Sequence, residues 1–153
     1  VQEMTSDFTL PQSTSVFIGA SDTGWSSYNT LPFDNRYLLA GSHLSMTSAR
    51  ISYHFDLNGI SKTIDTSCSS SLVAISEAYH AILSEDSELA ICGGVNLFND
   101  PSKFAQLRRM QMLSSDHQCF TFKHNANGYV RSEGGVLFLL ASESCLDKYN
   151  LNP

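Results

Sequence analysis

Apolar residues in this chain follow two patterns: short runs rich in β-branched and aromatic residues, and longer stretches in which apolar positions recur at helical spacing. The run Val16 to Ala20 reads as a strand, preceded by a polar stretch from Val1 to Ser13 that reads as a loop or a frayed helix end, with Pro11 as a breaker. Ser21 to Leu31, with Gly24, Trp25 and a cluster of Ser, Asn and Thr, reads as a loop. Asp34 is placed to cap a short helix ending at Gly41. Ser42 is placed to cap a second one running through Ile51 and Tyr53 to Phe55, stopped by an Asn58-Gly59 turn. Thr63 and Ile64 favour extended backbone, and Ser69 to Leu83 is apolar on nearly every face, interrupted mainly by Ser76, Glu77 and His80, which predicts a buried helix.

Beyond that helix, Glu85, Asp86 and Glu88 mark a solvated turn, and Leu89 to Val95 reads as a strand whose Gly93-Gly94 admits another backbone closely. Asp100-Pro101 opens a helix to about Met110, with Asp as N-cap and Pro at the first helical position. Lys123 to Asn127 is a polar loop. Gly134 to Ala141 is a continuous apolar strand, expected in the middle of a sheet covered on both faces. The order strand, helices, strand, helix, strand, helix, strand predicts an α/β layered fold.

Composition narrows the class. A length of 153 residues and 42% hydrophobic content suit one domain with a real core. No apolar run reaches about 18 residues, and VQEMTSDF lacks the basic and apolar regions of a signal peptide, so a soluble cytoplasmic location is expected. The four cysteines, at 68, 92, 119 and 145, form no CxxC pair, and no Asn-x-Ser/Thr acceptor occurs, which fits reduced thiols rather than a zinc site or a secreted disulfide framework. A net charge of -6 argues against nucleic acid or an anionic membrane as the main partner.

Candidate chemistry gathers in TIDTSCSSSL, Thr63 to Leu72, where the extended run meets the apolar helix. With Thr66 or Ser67 as N-cap, the Cys68 thiol falls in or beside the first turn. Unpaired backbone N–H groups and the helix dipole favour an anion there, and the thiolate is the nucleophilic form. The same N–H groups suit an oxyanion formed when a thioester carbonyl is attacked, and Ser67, Ser69 and Ser70 leave room for an acyl chain. Position alone does not separate this reading from a buried structural cysteine, because free Cys is among the most buried residue types. Trp25 reads first as a packing residue, with a pocket wall as the alternative. His43, His54, His80, His117 and His124 read as surface or structural residues.

DTSCSSSL resembles the active-site segment of the β-ketoacyl synthases of polyketide synthases and type I fatty acid synthases, commonly DTACSSSL, with Ser67 as the departure. Further pieces match in family order: VFIGAS (Val16 to Ser21), SMTSARISYHFDLNG (Ser45 to Gly59), ELAICGGVNLF (Glu88 to Phe98), RRMQMLSSD (Arg108 to Asp116), CFTF (Cys119 to Phe122) and NGYVRSEG (Asn127 to Gly134). NGYVRSEGGVLFLL is similar to animal-type fatty acid synthases somewhat more than to bacterial modular enzymes. Lys123 departs from the family, which usually has Asp there, and this puts the loop's usual hydrogen bonding in question.

The resemblance implies a thiolase-like layered fold, of which residues 1–153 are one partial domain, an incomplete N-terminal half. A start at Val1 rather than Met and a stop at Pro153 agree with a fragment. It also implies that Cys68 takes an acyl group from a phosphopantetheine thioester on an acyl carrier protein, with no cofactor bound directly and no metal. Decarboxylative Claisen condensation with malonyl-carrier then extends the chain. The region of the two short helices, Asp34 to Phe55 and the Asn58-Gly59 turn, is expected near a homodimer interface of the parent. The family's two active-site histidines lie in glycine-bearing motifs beyond the cysteine half, and neither they nor its lysine is identifiable here. Arg108 and Arg109 complement a helix dipole, the alternative being a basic contact for the phosphopantetheine arm or an acidic carrier. Two other readings stay open: a non-catalytic ketosynthase remnant, and a cysteine hydrolase, which needs a paired base.

Overall fold

The computed structural model describes residues 9–21, 36–149 and 151. Strand β1 (Ser15–Ala20) is buried along its whole length because it lies between two strands and is covered on both faces. It pairs in parallel with β2 (Ser61–Ile64) on one side and β3 (Leu89–Asn96) on the other, Val16 lying opposite Ser61 and Ile91. Strand β4 (Gly134–Ala141) adds to β3 in the antiparallel sense, giving the order β2-β1-β3-β4.

The period-two alternation of β1 sends Phe17 to one face and Val16 and Ile18 to the other. On the first face Phe17 packs with Ala90, Cys92 and the alanines of helix α3 (Ser70–Leu83), at positions 74, 78 and 81. Small side chains at that helical spacing let α3 lie close on the sheet. On the opposite face Val16, Ile18 and Leu57 form a second cluster with Ile51 of helix α2 (Met46–His54). The result is three layers, helix, sheet and helix. The chain leaves β1 through α1 (Leu38–Ser42) and α2 to reach β2, then crosses through α3 to β3 on the other side of β1. A switch of direction therefore falls between β1 and β3, the place where open α/β sheets form crevices at their carboxyl ends.

Several local expectations shift. Ser42 ends α1 rather than capping the second helix, which starts at Met46 after a turn in which Met46 N–H bonds to His43 O (3.0 Å) and Thr47 N–H to Leu44 O (3.0 Å). Its stop is made by left-handed Asp56 (φ 53°), while Gly59 serves close approach, since a Cβ there would stand 2.5 Å from Thr14 O. Asp34 and Trp25 lie outside the described residues. Helix α4 (Ser102–Arg109) starts one residue later than expected, with Pro101 rather than Asp100 at the N-cap position, and the Asp100 carboxylate accepts the Ser102 N–H (2.8 Å) and hydroxyl (2.5 Å). Helix α5 (Glu143–Tyr149), absent from the sequence reading, docks through Glu88, which accepts from Lys148 (2.7 Å) and Tyr149 (2.6 Å).

The largest correction concerns β4. Its apolar run predicts a central strand covered on both faces, yet among the described residues it is an edge strand, with Val136 60%, Leu137 53% and Phe138 51% exposed. Helix α3 lies over β1 and β3 and reaches β4 only near its end, where Leu140 joins the core. An apolar run signals that both faces call for cover; it does not say that neighbouring sequence supplies it.

Candidate active site

The segment between β2 and α3 is a compact turn rather than a simply capped helix. Ser67 is left-handed (φ 59°), and Ser67–Ser69 forms a 3₁₀ turn leading into α3. Thr66 occupies the N-cap position without a side-chain cap bond, so the expected capping by Thr66 or Ser67 is replaced. Asp65 Oδ1 accepts the Ser67 N–H (3.0 Å) and the Ser21 hydroxyl (2.9 Å). Ser70 Oγ accepts the Thr66 N–H (2.9 Å) and donates to Ser67 O (2.6 Å), while Ser69 Oγ donates to Thr66 O (2.8 Å). A left-handed residue with a Cβ is disfavoured and persists only where its surroundings hold it. Cys68 follows it directly and is exposed.

Two glycines bring this turn onto the sheet. A Cβ on Gly19 would stand 2.5 Å from Ser70 C and Ser71 N, and one on Gly94 would stand 2.7 Å from Ser71 Cβ. The start of α3 thus rests on the carboxyl ends of β1 and β3. Gly93 fills the complementary role toward β4, where a Cβ would overlap Val136 O, so both glycines of the pair serve close backbone approach.

Beside the turn lies a cleft of about 950 Å³, lined by Cys68, Leu72 and Ile75, by the ends of β1 and β3, by Val136 and Phe138 of β4, and by residues 129–132. The last wall is tied to the end of β3. Asn96 Nδ2 donates to Ser132 O (2.7 Å), the Phe98 N–H donates to Glu133 Oε1, and the Arg131 guanidinium lies over the rings of Phe98 (4.3 Å) and Phe104 (4.8 Å). Behind it, Asn127 closes the polar loop by donating to Ser115 Oγ (3.0 Å) and Asp116 Oδ2 (2.9 Å) and accepting from Ser114 Oγ (2.8 Å). Lys123 is exposed with its ammonium over Phe120, and it joins the loop through its backbone, its N–H donating to Phe120 O (2.9 Å) and its carbonyl accepting from the Ala126 N–H (3.1 Å).

Of the four cysteines, only Cys68 lines the cleft. Cys92 is buried against α3, and burial pushes its thiol up from the ordinary range. Cys145 is buried with Ser142 donating to its sulfur, and Cys119 Sγ accepts the Val130 N–H (3.3 Å). His43, His54, His80, His117 and His124 are all exposed and none lines the cleft. Arg108 and Arg109 are exposed on the last turn of α4, where cations complement the dipole. The sequence reading gave no role to Asp65 or Arg131 and read Ser70 only as leaving room for an acyl chain, whereas its buried hydroxyl ties the turn together. An Asx-type turn at Asp65 is detectable in principle, but the aromatic partners of Arg131 leave no local signal.

A family model described as the N-terminal domain of β-ketoacyl synthase matches residues 3–144. Probable polyketide synthase 1 of Dictyostelium discoideum is 42% identical over 134 residues, 84% of this chain and 4% of that protein. Tenellin synthetase of Beauveria bassiana is 44% identical over 132 residues, 83% of this chain and 3% of that protein. The ketosynthase from module 6 of the bacillaene synthase of Bacillus subtilis 168 superposes with a TM-score of 0.77 at 30% identity, covering 89% of this chain and 22% of that one. An oxazolomycin ketosynthase domain of Streptomyces albus gives 0.78 at 35% identity, covering 88% and 23%. This chain therefore spans a small part of the curated relatives and under a quarter of the solved ketosynthase chains. The cysteine-bearing turn, the mixed sheet and these matches have one explanation: the chain belongs to the β-ketoacyl synthase family, as a piece of its thiolase-like N-terminal domain.

Proposed function

We propose that this chain carries the acylation half-site of a polyketide-type ketosynthase, with Cys68 as the nucleophile. The observation that carries the reading is the exposed Cys68, held behind left-handed Ser67 and opening on a largely apolar cleft at the carboxyl ends of parallel strands. The Cys68 thiolate attacks the carbonyl of an acyl group carried as a phosphopantetheine thioester. The carbonyl carbon gains the bond to Sγ and loses its bond to the pantetheine sulfur, which leaves and is protonated. Backbone N–H groups of the turn and of the start of α3 suit the intermediate oxyanion. Leu72, Ile75, Val136 and Phe138 provide apolar surface for the acyl chain.

Condensation follows when a malonyl-carrier thioester loses carbon dioxide. The electron pair of the broken bond becomes an enolate, whose carbon attacks the acyl-Cys68 carbonyl and releases the thiolate as a β-ketoacyl-carrier forms. That step rests on the family's histidines and lysine, which this chain does not supply. The partners are an acyl carrier protein and a second copy of the parent, in a cytoplasmic setting. No helix among the described residues is long and apolar enough to cross a membrane.

The test is acylation of the full-length synthase with an acyl-N-acetylcysteamine thioester, followed by peptide mass mapping. The acyl group is expected on Cys68, and Cys68→Ala abolishes both acylation and chain elongation. Elongation by Cys68→Ala, or an acyl group on Cys92, Cys119 or Cys145 instead, overturns the proposal.

A further inference from the structure

We infer that Asp65 is a positioning residue for Cys68, holding the left-handed turn at Ser67 that presents the sulfur to the cleft. The inference rests on the reading of Cys68 as nucleophile and assigns the control of its aim to a neighbouring carboxylate. One oxygen, Asp65 Oδ1, accepts from two directions: from the Ser67 N–H (3.0 Å), inside the turn, and from the Ser21 hydroxyl (2.9 Å), just past the end of β1. The carboxylate is thus clamped between the residue that follows β1 and the residue preceding Cys68. A single acceptor joins two segments 44 residues apart.

Ser67 is the point of least intrinsic stability in this turn, because its φ of 59° crowds the Cβ. Two groups oppose its relaxation. The Asp65 carboxylate holds its N–H, and the Ser70 hydroxyl, buried at the start of α3, holds its carbonyl. Ser70 belongs to the helix and moves with it, whereas the Asp65 contact refers the turn to β1. Loss of the Asp65 acceptor lets Ser67 relax toward ordinary backbone angles, which rotates the peptide carrying Cys68. The fold's core lies elsewhere, on Phe17 and the alanines of α3, and keeps its packing.

The acceptor, not the charge, does the positioning. A negative charge beside a thiolate opposes the reactive form, so a neutral amide that keeps the oxygen preserves the function. Glycine at 67 adopts the left-handed conformation without strain and reduces the dependence on Asp65.

The experiment uses the full-length synthase with Asp65→Ala and Asp65→Asn, each made alone and in a Ser67→Gly background. Two readouts are taken on Cys68 itself, the acylation rate from acyl-N-acetylcysteamine and the alkylation rate by iodoacetamide, with thermal melting alongside. Because misplacement by about 1 Å costs roughly 10²-fold, Asp65→Ala is expected to slow acylation by about 30- to 100-fold. Asp65→Asn retains acylation to within about fivefold, and in the Ser67→Gly background Asp65→Ala costs about tenfold or less, the non-additivity expected of residues in contact. Melting does not follow this pattern. Asp65→Asn as slow as Asp65→Ala, Asp65→Ala as fast as the unsubstituted protein, or an undiminished loss in the glycine background overturns the inference. If Asp65→Ala does not fold, the Asp65→Asn and Ser21→Ala variants decide it, since Ser21→Ala releases one side of the clamp and slows acylation while Asp65→Asn does not. Failure of the nucleophile assignment is distinct: Cys68→Ala would then acylate normally whatever Asp65 does.

Discussion

Adding one methyl group at Gly19 tests whether the helix start and the sheet are in direct contact beneath Cys68. An ideal Cβ at this position falls 2.5 Å from Ser70 C and Ser71 N and 2.7 Å from Ser70 O, all backbone atoms. Non-bonded heavy atoms settle at about 3.5–4.0 Å, so Gly19→Ala forces the two segments about 1 Å apart. Strand β1 is bonded on both sides and buried throughout, so the displacement falls on the start of α3, two residues after Cys68. Overpacking of this kind costs about 1–3 kcal/mol, and a shift of about 1 Å at a reacting atom costs roughly 10² in rate. The expected outcome in the full-length synthase is acylation slowed about 100-fold, with a clearly lowered melting temperature. Gly134→Ala is the control, because nothing lies within 4 Å of a Cβ there. The reasoning is refuted if Gly19→Ala acylates within about threefold of the unsubstituted protein, or if Gly134→Ala is equally slow.

Three further outcomes are expected. Charge reversal at Arg108 and Arg109 should slow acylation by carrier-bound substrate more than by a free small thioester, most at low salt, where screening lengths grow from about 8 Å to about 30 Å; equal slowing by both donors would assign the arginines to the helix alone. The 153-residue chain expressed alone should self-associate and bind an apolar dye, because Leu72 is 70% exposed and Val136, Leu137 and Phe138 are uncovered; a monodisperse monomer with a cooperative melt would contradict this. Docking of α5 should weaken at both extremes of pH. The Lys148 and Tyr149 hydrogen bonds hold the Glu88 carboxyl below its usual range, so its contribution is present above about pH 4.3 and lost as pH falls through the lower folded value. The Glu88 hydrogen bond holds the Lys148 ammonium above its usual range, so that contribution is present below about pH 10.4 and lost as pH rises through the higher folded value. Hydrogen exchange in α5 that loosens between pH 6 and 9 instead would show that the pair does not hold the helix.

Much of the molecule is legible locally. Strands β1 to β3 and helix α3 follow from residue spacing, because alternation and helical periodicity are properties of neighbouring residues. DTSCSSSL likewise marks Cys68 without reference to any distant contact. The tertiary structure decides what depends on segments far apart in sequence. Asp65 meets Ser21 across 44 residues, and Asn96 meets Ser132 across 36. Arg131 finds its two rings on the β3–α4 connection and on α4 itself. The place of β4 at the end of the sheet is of the same kind, since its apolar run records only that both faces call for cover, and strand order is set by partners the run does not contain. Sequence therefore singled out the proposed nucleophile and its helix, while the aim of that residue, the glycine seat beneath it and the wall opposite were decided by long-range contacts, whose geometry leaves no periodic trace in the chain.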